Sequence, residues 1–144
     1  MVVACKSSFD AAHILWGYKG KCGNLHGHTY KIEVSVSCKD VDRNEMGMVA
    51  DYTELKRVLK PIIEKYDHAF LSGSEDGDQI YRTCMELGLK IKNISGYSTT
   101  ENIARQIMKE LIAVCKEEQY TWYPSTIRLS ETDSTYAVVS YLEV

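Results

Sequence analysis

The segment CGNLHGHTYKIEVSVS, residues 22–37, restricts the possible folds most, because it joins a strand pattern to a group of metal-ligand side chains. Apolar and polar residues alternate over residues 28–37, which is the period of a β-strand with one buried face. His26 and His28 have the parity of the apolar positions, so both imidazoles are predicted on the buried face. The segment therefore predicts a sheet with two histidines close enough to share one metal ion.

A third histidine precedes this segment. The sequence predicts a first strand from Val2 to Leu15, in which His13 shares a face with Phe9 and Ala11. If the two strands pair as a hairpin, His13 can reach His26 and His28. Three histidines without a fourth protein ligand are typical of catalytic zinc, whose open position takes water or substrate.

Cys22 allows two interpretations that the spacing alone does not separate. It could be a fourth ligand that closes a structural zinc site, or it could remain free as a base or nucleophile. Lys19 and Lys21 lie close to it in sequence and would favour its thiolate. These two lysines either hold an anionic substrate group or simply belong to a solvated loop.

The rest of the chain shows helical and strand patterns in turn. Asp51 and Glu54 resemble a capping box at the start of a helix over residues 51–66, which Pro61 should kink or end. The acids of SGSEDGD, residues 72–78, are interpreted as solvated loop, and residues 81–93 as a short helix followed by a strand-like piece. A long helix capped by Ser98 or Thr99 follows, and then two strands over residues 125–131 and 135–144.

This order of elements predicts an α+β fold. Short connections between neighbouring strands favour a four-stranded antiparallel sheet with two helices packed on one face. The whole chain, residues 1–144, is expected to form a single domain. So small a sheet leaves edge strands exposed, which favours a homo-oligomer joined through those edges.

Composition excludes several classes of function. The net charge is −3 and no basic block occurs, which argues against nucleic-acid binding. The sequence contains no run of about 18 apolar residues, so no membrane-spanning segment is expected. No secretory signal is visible in the first ten residues. The five cysteines are odd in number and irregularly spaced, so a reducing cytoplasm is favoured over a disulfide framework.

Three further places carry candidate site residues. His68 directly follows Asp67, and a carboxylate beside an imidazole can orient it for proton transfer, although adjacent side chains at a helix end usually diverge. Glu131 ends a strand and could merely begin a turn. Thr99, Thr100 and Glu101 open the long helix, where an acid is also favoured by the helix dipole alone.

Taken together, the motifs FDAAH, CGNLHGHTYKIEV, DYTELK, YDHAFL, STTEN and SETD resemble the 6-pyruvoyl-tetrahydropterin synthase superfamily, in the same order and over nearly the whole chain. The resemblance implies the tunnelling fold, whose subunits join their sheets edge to edge into a barrel. It also implies a homo-oligomer, expected to be a hexamer built as a dimer of trimers, with active sites at subunit interfaces.

The resemblance also implies roles for individual residues. His13, His26 and His28 match the zinc ligands, and Cys22 matches the catalytic cysteine. Asp67 and His68 match a pair that a neighbouring subunit contributes. The remaining matches concern the substrate: Glu131 would anchor the pterin ring, and its pocket would be lined by Thr99, Thr100 and Glu101.

The activity implied is the conversion of 7,8-dihydroneopterin triphosphate to 6-carboxy-5,6,7,8-tetrahydropterin in the queuosine pathway. Three residues separate Cys22 from His26, and this CxxxHGH spacing resembles the carboxy-forming branch, whereas the pyruvoyl-forming branch has a longer interval. The motifs STTEN and ETD also resemble the pyruvoyl-forming branch, so that product is the alternative. A zinc-stabilised binding domain is a further alternative, and an oxygenase with two histidines and a carboxylate is a weaker one.

Overall fold

The chain folds into six strands and three α-helices, and the structure, a computed structural model, describes all residues 1–144. In chain order the elements are β1 (Val2–His13), β2 (His26–Ser37), α1 (Tyr52–Glu64), β3 (Ala69–Gly73), α2 (Gln79–Glu86), β4 (Ile91–Ile94), α3 (Thr100–Glu117), β5 (Tyr123–Ser130) and β6 (Tyr136–Ser140). No helix is both long enough and apolar enough to cross a membrane.

All six strands belong to one mixed sheet with the order β4-β3-β1-β2-β5-β6. The β1–β2 hairpin forms its centre and pairs antiparallel from Val2 opposite Ser37 to His13 opposite His26. β5 and β6 continue the antiparallel pairing on the β2 side. On the other side β3 runs parallel to β1, and β4 runs parallel to β3.

The α+β class is confirmed, but the prediction of four antiparallel strands and two helices is wrong. The missing strand β3 has five residues that are all buried, so it shows no alternation, and it begins soon after α1 ends. A short apolar run of this kind gives no periodic signal of a strand. Its parallel pairing with β1 depends on a crossover through α1, which a hairpin-based reading of the sequence does not anticipate.

The main core lies between one face of the sheet and the helices α1 and α3. Alternate residues of β1 and β2, such as Phe9 and Tyr30, face this core, and their rings stack with centroids 5.0 Å apart. A smaller cluster of Ile14, Phe70 and Cys84 has the opposite strand parity, so α2 packs on the other face. The core face of the hairpin is therefore also the face that carries the histidines.

The two long helices begin as the sequence predicts. Asp51 accepts hydrogen bonds from the amides of Thr53, at 2.6 Å, and Glu54, at 3.3 Å, and caps α1. Pro61 does not end the helix, which continues to Glu64 with the proline ring on the exposed side. At α3 the cap is Thr99, whose hydroxyl accepts from an amide of the first turn.

Candidate metal and catalytic site

Three imidazoles converge where the β1–β2 hairpin meets the start of α3. His13 and His26 are directly opposite each other in the hairpin register, and His28 lies opposite Ala11 on the same face. The Nε2 atoms of His13 and His26 are 3.1 Å apart. One ring nitrogen from each of the three histidines lies within 4.8 Å of the others. The sequence prediction that these three side chains meet is confirmed.

Backbone carbonyls fix the orientation of two of the rings. The oxygen of Ser98 lies 2.7 Å from Nδ1 of His13, and that of Asn24 lies 2.7 Å from Nδ1 of His26. A carbonyl only accepts, so each Nδ1 carries the proton and each Nε2 presents a lone pair to the cluster. Hydrogen bonds of this kind support histidine ligands in metal sites.

The remaining ring, that of His28, gives the clearest test of whether a metal fits. Its Nε2 atom is buried and has no hydrogen-bond partner. Burial lowers the pKa of His28, and the neighbouring His13 and His26 lower it further, against an opposing effect of Glu131. A neutral imidazole with an unpartnered nitrogen facing two others fits a divalent ion such as zinc.

Glu131 follows β5 and directs its carboxylate toward the same cluster. Oε1 lies 3.4 Å from Nε2 of His13 and 3.3 Å from Nε2 of His28. The contact with His13, and after it the proximity of His28 and His26, holds the pKa of Glu131 below its usual value, although partial burial opposes this effect. An ionised carboxylate therefore borders the three histidines.

Cys22 lies in a short 3-10 turn, Lys21–Gly23, within the loop that joins β1 to β2. The loop folds back on itself, because the amide of Leu15 donates to the Cys22 carbonyl at 2.9 Å. A Cβ on Gly23 would come within 2.0 Å of the Tyr18 oxygen, so only glycine fits beside the cysteine. The half-buried Cys22 side chain thus sits on a tightly built loop.

One cleft of about 320 Å³ brings half of the predicted site residues together. They come from β1, the loop, the start of α3 and the end of β5. Its lining includes His13, Cys22, Thr99, Thr100, Glu101 and Glu131. The group able to share one ion contains the three histidines but not Cys22, which leaves the thiol available for chemistry.

Asp67 and His68 contact each other, but neither lines the 320 Å³ cleft. His68 Nδ1 is 2.9 Å from Asp67 Oδ2, and the left-handed backbone of His68, with φ of 55°, allows this contact between neighbours. The amide of Asp10 donates to Asp67 at 2.9 Å, and this bond, followed by the one from His68, lowers the pKa of Asp67. His68 lines a second cleft of about 640 Å³, which includes His28 but not Cys22.

Lys19 and Lys21 are exposed on the loop that carries Cys22. Neither lysine lines the 320 Å³ cleft. The two lysines are therefore close to Cys22 in sequence, but they do not contribute to the cleft.

No sequence pattern identifies the residues that support the histidines. The acids of residues 72–78 were expected to be solvated, and this is wrong for Asp76, which is only 2% exposed. Asp78 is exposed as expected. Ser98, considered only as a helix cap, is fully buried and supplies the carbonyl that binds His13. No local pattern distinguishes Asp76 from its neighbours, because its burial depends on contacts made 22 residues away.

Comparison with known proteins agrees with the α+β fold. The family model described as 6-pyruvoyl tetrahydropterin synthase matches residues 2–141, and the chain therefore belongs to this family.

Two similar proteins both carry the name of the carboxy-forming enzyme. The chain is 39% identical over 134 residues to 6-carboxy-5,6,7,8-tetrahydropterin synthase of Haemophilus influenzae, covering 90% of this chain and 91% of that one. It is 31% identical over 132 residues to the protein of the same name from Rickettsia bellii, covering 91% and 94%. The prediction of an enzyme of the lyase type is confirmed by these relatives.

Solved structures support the fold. An uncharacterized protein from Wolinella succinogenes superposes with a TM-score of 0.76 at 19% identity and covers 98% of both chains. Plasmodium falciparum 6-pyruvoyl tetrahydropterin synthase superposes with a TM-score of 0.70 at 23% identity and covers 96% of both chains. At these identities the similarity establishes the fold alone.

Proposed function

We propose that this chain converts 7,8-dihydroneopterin triphosphate to 6-carboxy-5,6,7,8-tetrahydropterin, releasing acetaldehyde and triphosphate, in queuosine biosynthesis in the cytoplasm. The observation that carries the proposal is the convergence of three histidine nitrogens beside a cleft that also contains Cys22 and Glu131. The names of the relatives, at up to 39% identity, support the carboxy-forming product.

The three histidines would hold a zinc ion, and the fourth coordination position would remain for the substrate. The chemistry that a bound zinc supplies is that of a Lewis acid, which lowers the pKa of substrate hydroxyls. His13 and His26 would keep their Nε2 lone pairs in place through their carbonyl partners. His28 would contribute its buried Nε2, which makes no hydrogen bond within the chain.

Cys22 would act as the base that removes a proton from the side-chain carbons of the substrate. Its position in the cleft, outside the group of possible ligands, supports this role over that of a fourth ligand. His68 would relay protons, and Asp67 would hold the His68 ring through the contact of 2.9 Å.

Substrate binding would use other residues that line the same cleft. The Glu131 carboxylate can accept two hydrogen bonds from the amino group and ring N–H of a pterin. Thr99, Thr100 and Glu101 would line the pterin pocket at the start of α3. Lys19 and Lys21 would contact the triphosphate from the loop, where their exposure leaves them free to do so.

The proposal includes assembly into a homo-oligomer, a hexameric barrel in which a neighbouring subunit contributes Asp67 and His68 to each site. Two observations support it. Within one chain His68 lies on a different cleft from Cys22. The sheet also ends in two unpaired edge strands, β4 and β6, which could pair with other subunits.

The test is to incubate the zinc-loaded protein with 7,8-dihydroneopterin triphosphate and to identify the products by mass spectrometry. We expect 6-carboxy-5,6,7,8-tetrahydropterin and acetaldehyde. Formation of 6-pyruvoyl-tetrahydropterin would instead favour the branch that STTEN and ETD resemble, with the same site. Absence of any pterin product would overturn the proposal.

Cys22→Ala separates the catalytic role from the structural one. We expect turnover to fall at least ~100-fold while the zinc content and the melting temperature stay near those of the wild type, since general-base catalysis contributes on the order of 10²–10⁴. Cys38→Ala, which removes a buried core thiol that does not line the cleft, is the control for turnover. Loss of zinc together with unfolding in Cys22→Ala would favour a zinc-stabilised binding domain.

A further inference from the structure

Asp76 is a buried carboxylate on the loop between β3 and α2, with 2% of its surface exposed. Its Oδ2 atom accepts three hydrogen bonds. They come from the amide of Gly73 at 3.2 Å, the amide of Ser98 at 2.7 Å and the hydroxyl of Ser98 at 2.5 Å. Two of the three come from one residue, so the carboxylate holds Ser98 by both its backbone and its side chain.

Ser98 connects this carboxylate to the histidine cluster. Its carbonyl oxygen is the acceptor for Nδ1–H of His13, at 2.7 Å. Ser98 is fully buried and His13 is 1% exposed, so water does not compete for these bonds. The path from Asp76 through Ser98 to the His13 ring is therefore continuous and enclosed.

The loop is built closely around the carboxylate. A Cβ on Gly73 would lie 2.3 Å from Asp76 Oδ2 and 2.5 Å from the Ser98 nitrogen. The other carboxylate oxygen, Oδ1, is buried without a partner. A buried carboxylate with one unpartnered oxygen costs free energy unless positive charge lies near it. Holding the loop in place would not by itself require a buried carboxylate with this cost in free energy.

We propose that Asp76 is a positioning residue for the metal centre. By holding Ser98, it fixes the orientation and the tautomer of His13, and it thereby favours binding of a divalent cation at the three histidines. The inference rests on the proposed function, in which His13, His26 and His28 bind the metal. Carboxylates that act through a neighbouring group in this way tune metal affinity as well as ligand geometry.

A residue with only a structural role would behave differently. Its removal would lower the melting temperature of the metal-free and the metal-bound protein to the same extent, and the metal affinity would not change. A positioning residue affects the bound state more, so its removal lowers the stabilisation that the metal provides. Metal affinity therefore separates the two roles without any measurement of activity.

The experiment compares the full-length wild type with Asp76→Asn and Asp76→Ala. Asp78→Asn is the matched control, because Asp78 lies on the same loop but is exposed and paired with Arg82. Zn²⁺ affinity is measured on metal-free protein by competition with a chromogenic chelator. The absorption bands of the Co²⁺-substituted proteins report the ligand geometry. Circular dichroism establishes that each variant is folded.

We expect Asp76→Ala to weaken Zn²⁺ binding by about 10–100-fold, and to change the Co²⁺ spectrum, as for other outer-shell partners of metal ligands. Asp76→Asn keeps one acceptor oxygen, should fold even if the alanine variant does not, and is expected to weaken binding by a smaller factor. Asp78→Asn should match the wild type.

Three results would overturn the inference or its basis, and they can be told apart. Folded Asp76 variants with wild-type Zn²⁺ affinity and an unchanged Co²⁺ spectrum would show that Asp76 serves only the loop. A wild-type protein that binds no Zn²⁺ would instead refute the metal site of the proposed function. If neither Asp76 variant folds, the inference is rejected in favour of a structural role.

Discussion

At the scale of single residues, Glu131 occupies a position in which two roles compete. Its carboxylate lies 3.3–3.4 Å from two of the imidazole nitrogens that would face a metal, yet the resemblance assigns it to the pterin ring. If it binds the pterin, Glu131→Gln should raise KM at least ~10-fold, because the lost bonds are charge-assisted. Zn²⁺ affinity should then stay unchanged.

The control for this prediction is Asp133→Asn. Asp133 belongs to the same turn but is 88% exposed and is paired with Lys31. Steady-state kinetics and the chelator assay are measured on both variants. A large loss of Zn²⁺ affinity in Glu131→Gln, with little change in KM, would mean that the carboxylate is a metal ligand.

Residue-level prediction succeeded where a side chain's face follows from strand parity. His13, His26 and His28 meet because hairpin pairing and alternation suffice to place them. It failed for Asp76, whose burial depends on Ser98, a residue 22 positions further along the chain. The sequence around Asp76 contains three acids and two glycines that look alike, and only the tertiary fold separates the buried one.

At the scale of elements, Glu110 on α3 ties that helix to α1 and β4. It accepts from Lys92 at 2.5 Å and from the Tyr66 hydroxyl at 2.9 Å, and Lys65 lies 3.3 Å away. Partial burial alone would raise the pKa of Glu110, but these hydrogen bonds and charges outweigh it and hold the pKa below its usual value.

A lowered pKa in the folded state has a definite sign in stability. The contribution of Glu110 is present above its unfolded-state pKa of about 4.3 and is lost as the pH falls through the lower folded-state value. Glu110→Gln should therefore be less stable than the wild type near pH 7, and the difference should shrink on acidification below about pH 4.

Urea unfolding between pH 3 and pH 7 measures this difference. Glu117→Gln, an exposed site on the same helix, is the control and should follow the wild type. A difference between Glu110→Gln and the wild type that stays constant over the whole range would show that ionisation of Glu110 is not its source.

The elements themselves were predicted to the extent that they are long and periodic. α3 and the β1–β2 hairpin are recovered nearly to their ends, and β4 begins within the strand-like piece predicted over residues 81–93, whereas β3 is not recovered. β3 is short and buried throughout, so it does not repeat a pattern often enough to be recognised. The parallel pairing of β3 and β4 is a property of the crossovers and not of the strands.

At the scale of the whole molecule, the separation of Cys22 from His68 predicts shared active sites. Cys22→Ala and His68→Ala should each be inactive alone. If the two groups come from different subunits, mixed oligomers of the two variants regain about a quarter of wild-type activity through random pairing at symmetric interfaces. The measurement is turnover after the variants are unfolded and refolded together.

The control for this experiment is each variant refolded alone, together with a mixture that was never unfolded. Both should remain inactive. If refolded mixtures stay inactive although wild-type protein refolds with full activity, both groups act within one chain. His68 and Cys22 would then have to work together although they line separate clefts of 640 Å³ and 320 Å³.

The β1–β2 register also determines whether the three histidines can bind a metal at all. A slip of one residue between β1 and β2 would turn His26 and His28 to the opposite face and away from His13. A misregistered chain could then hide much of its error inside a compact shape, but it could not assemble the histidine cluster. The amount of bound metal would thus measure the fraction of chains whose β1–β2 pairing is correct. Metal binding would select for the correct register before any reaction takes place.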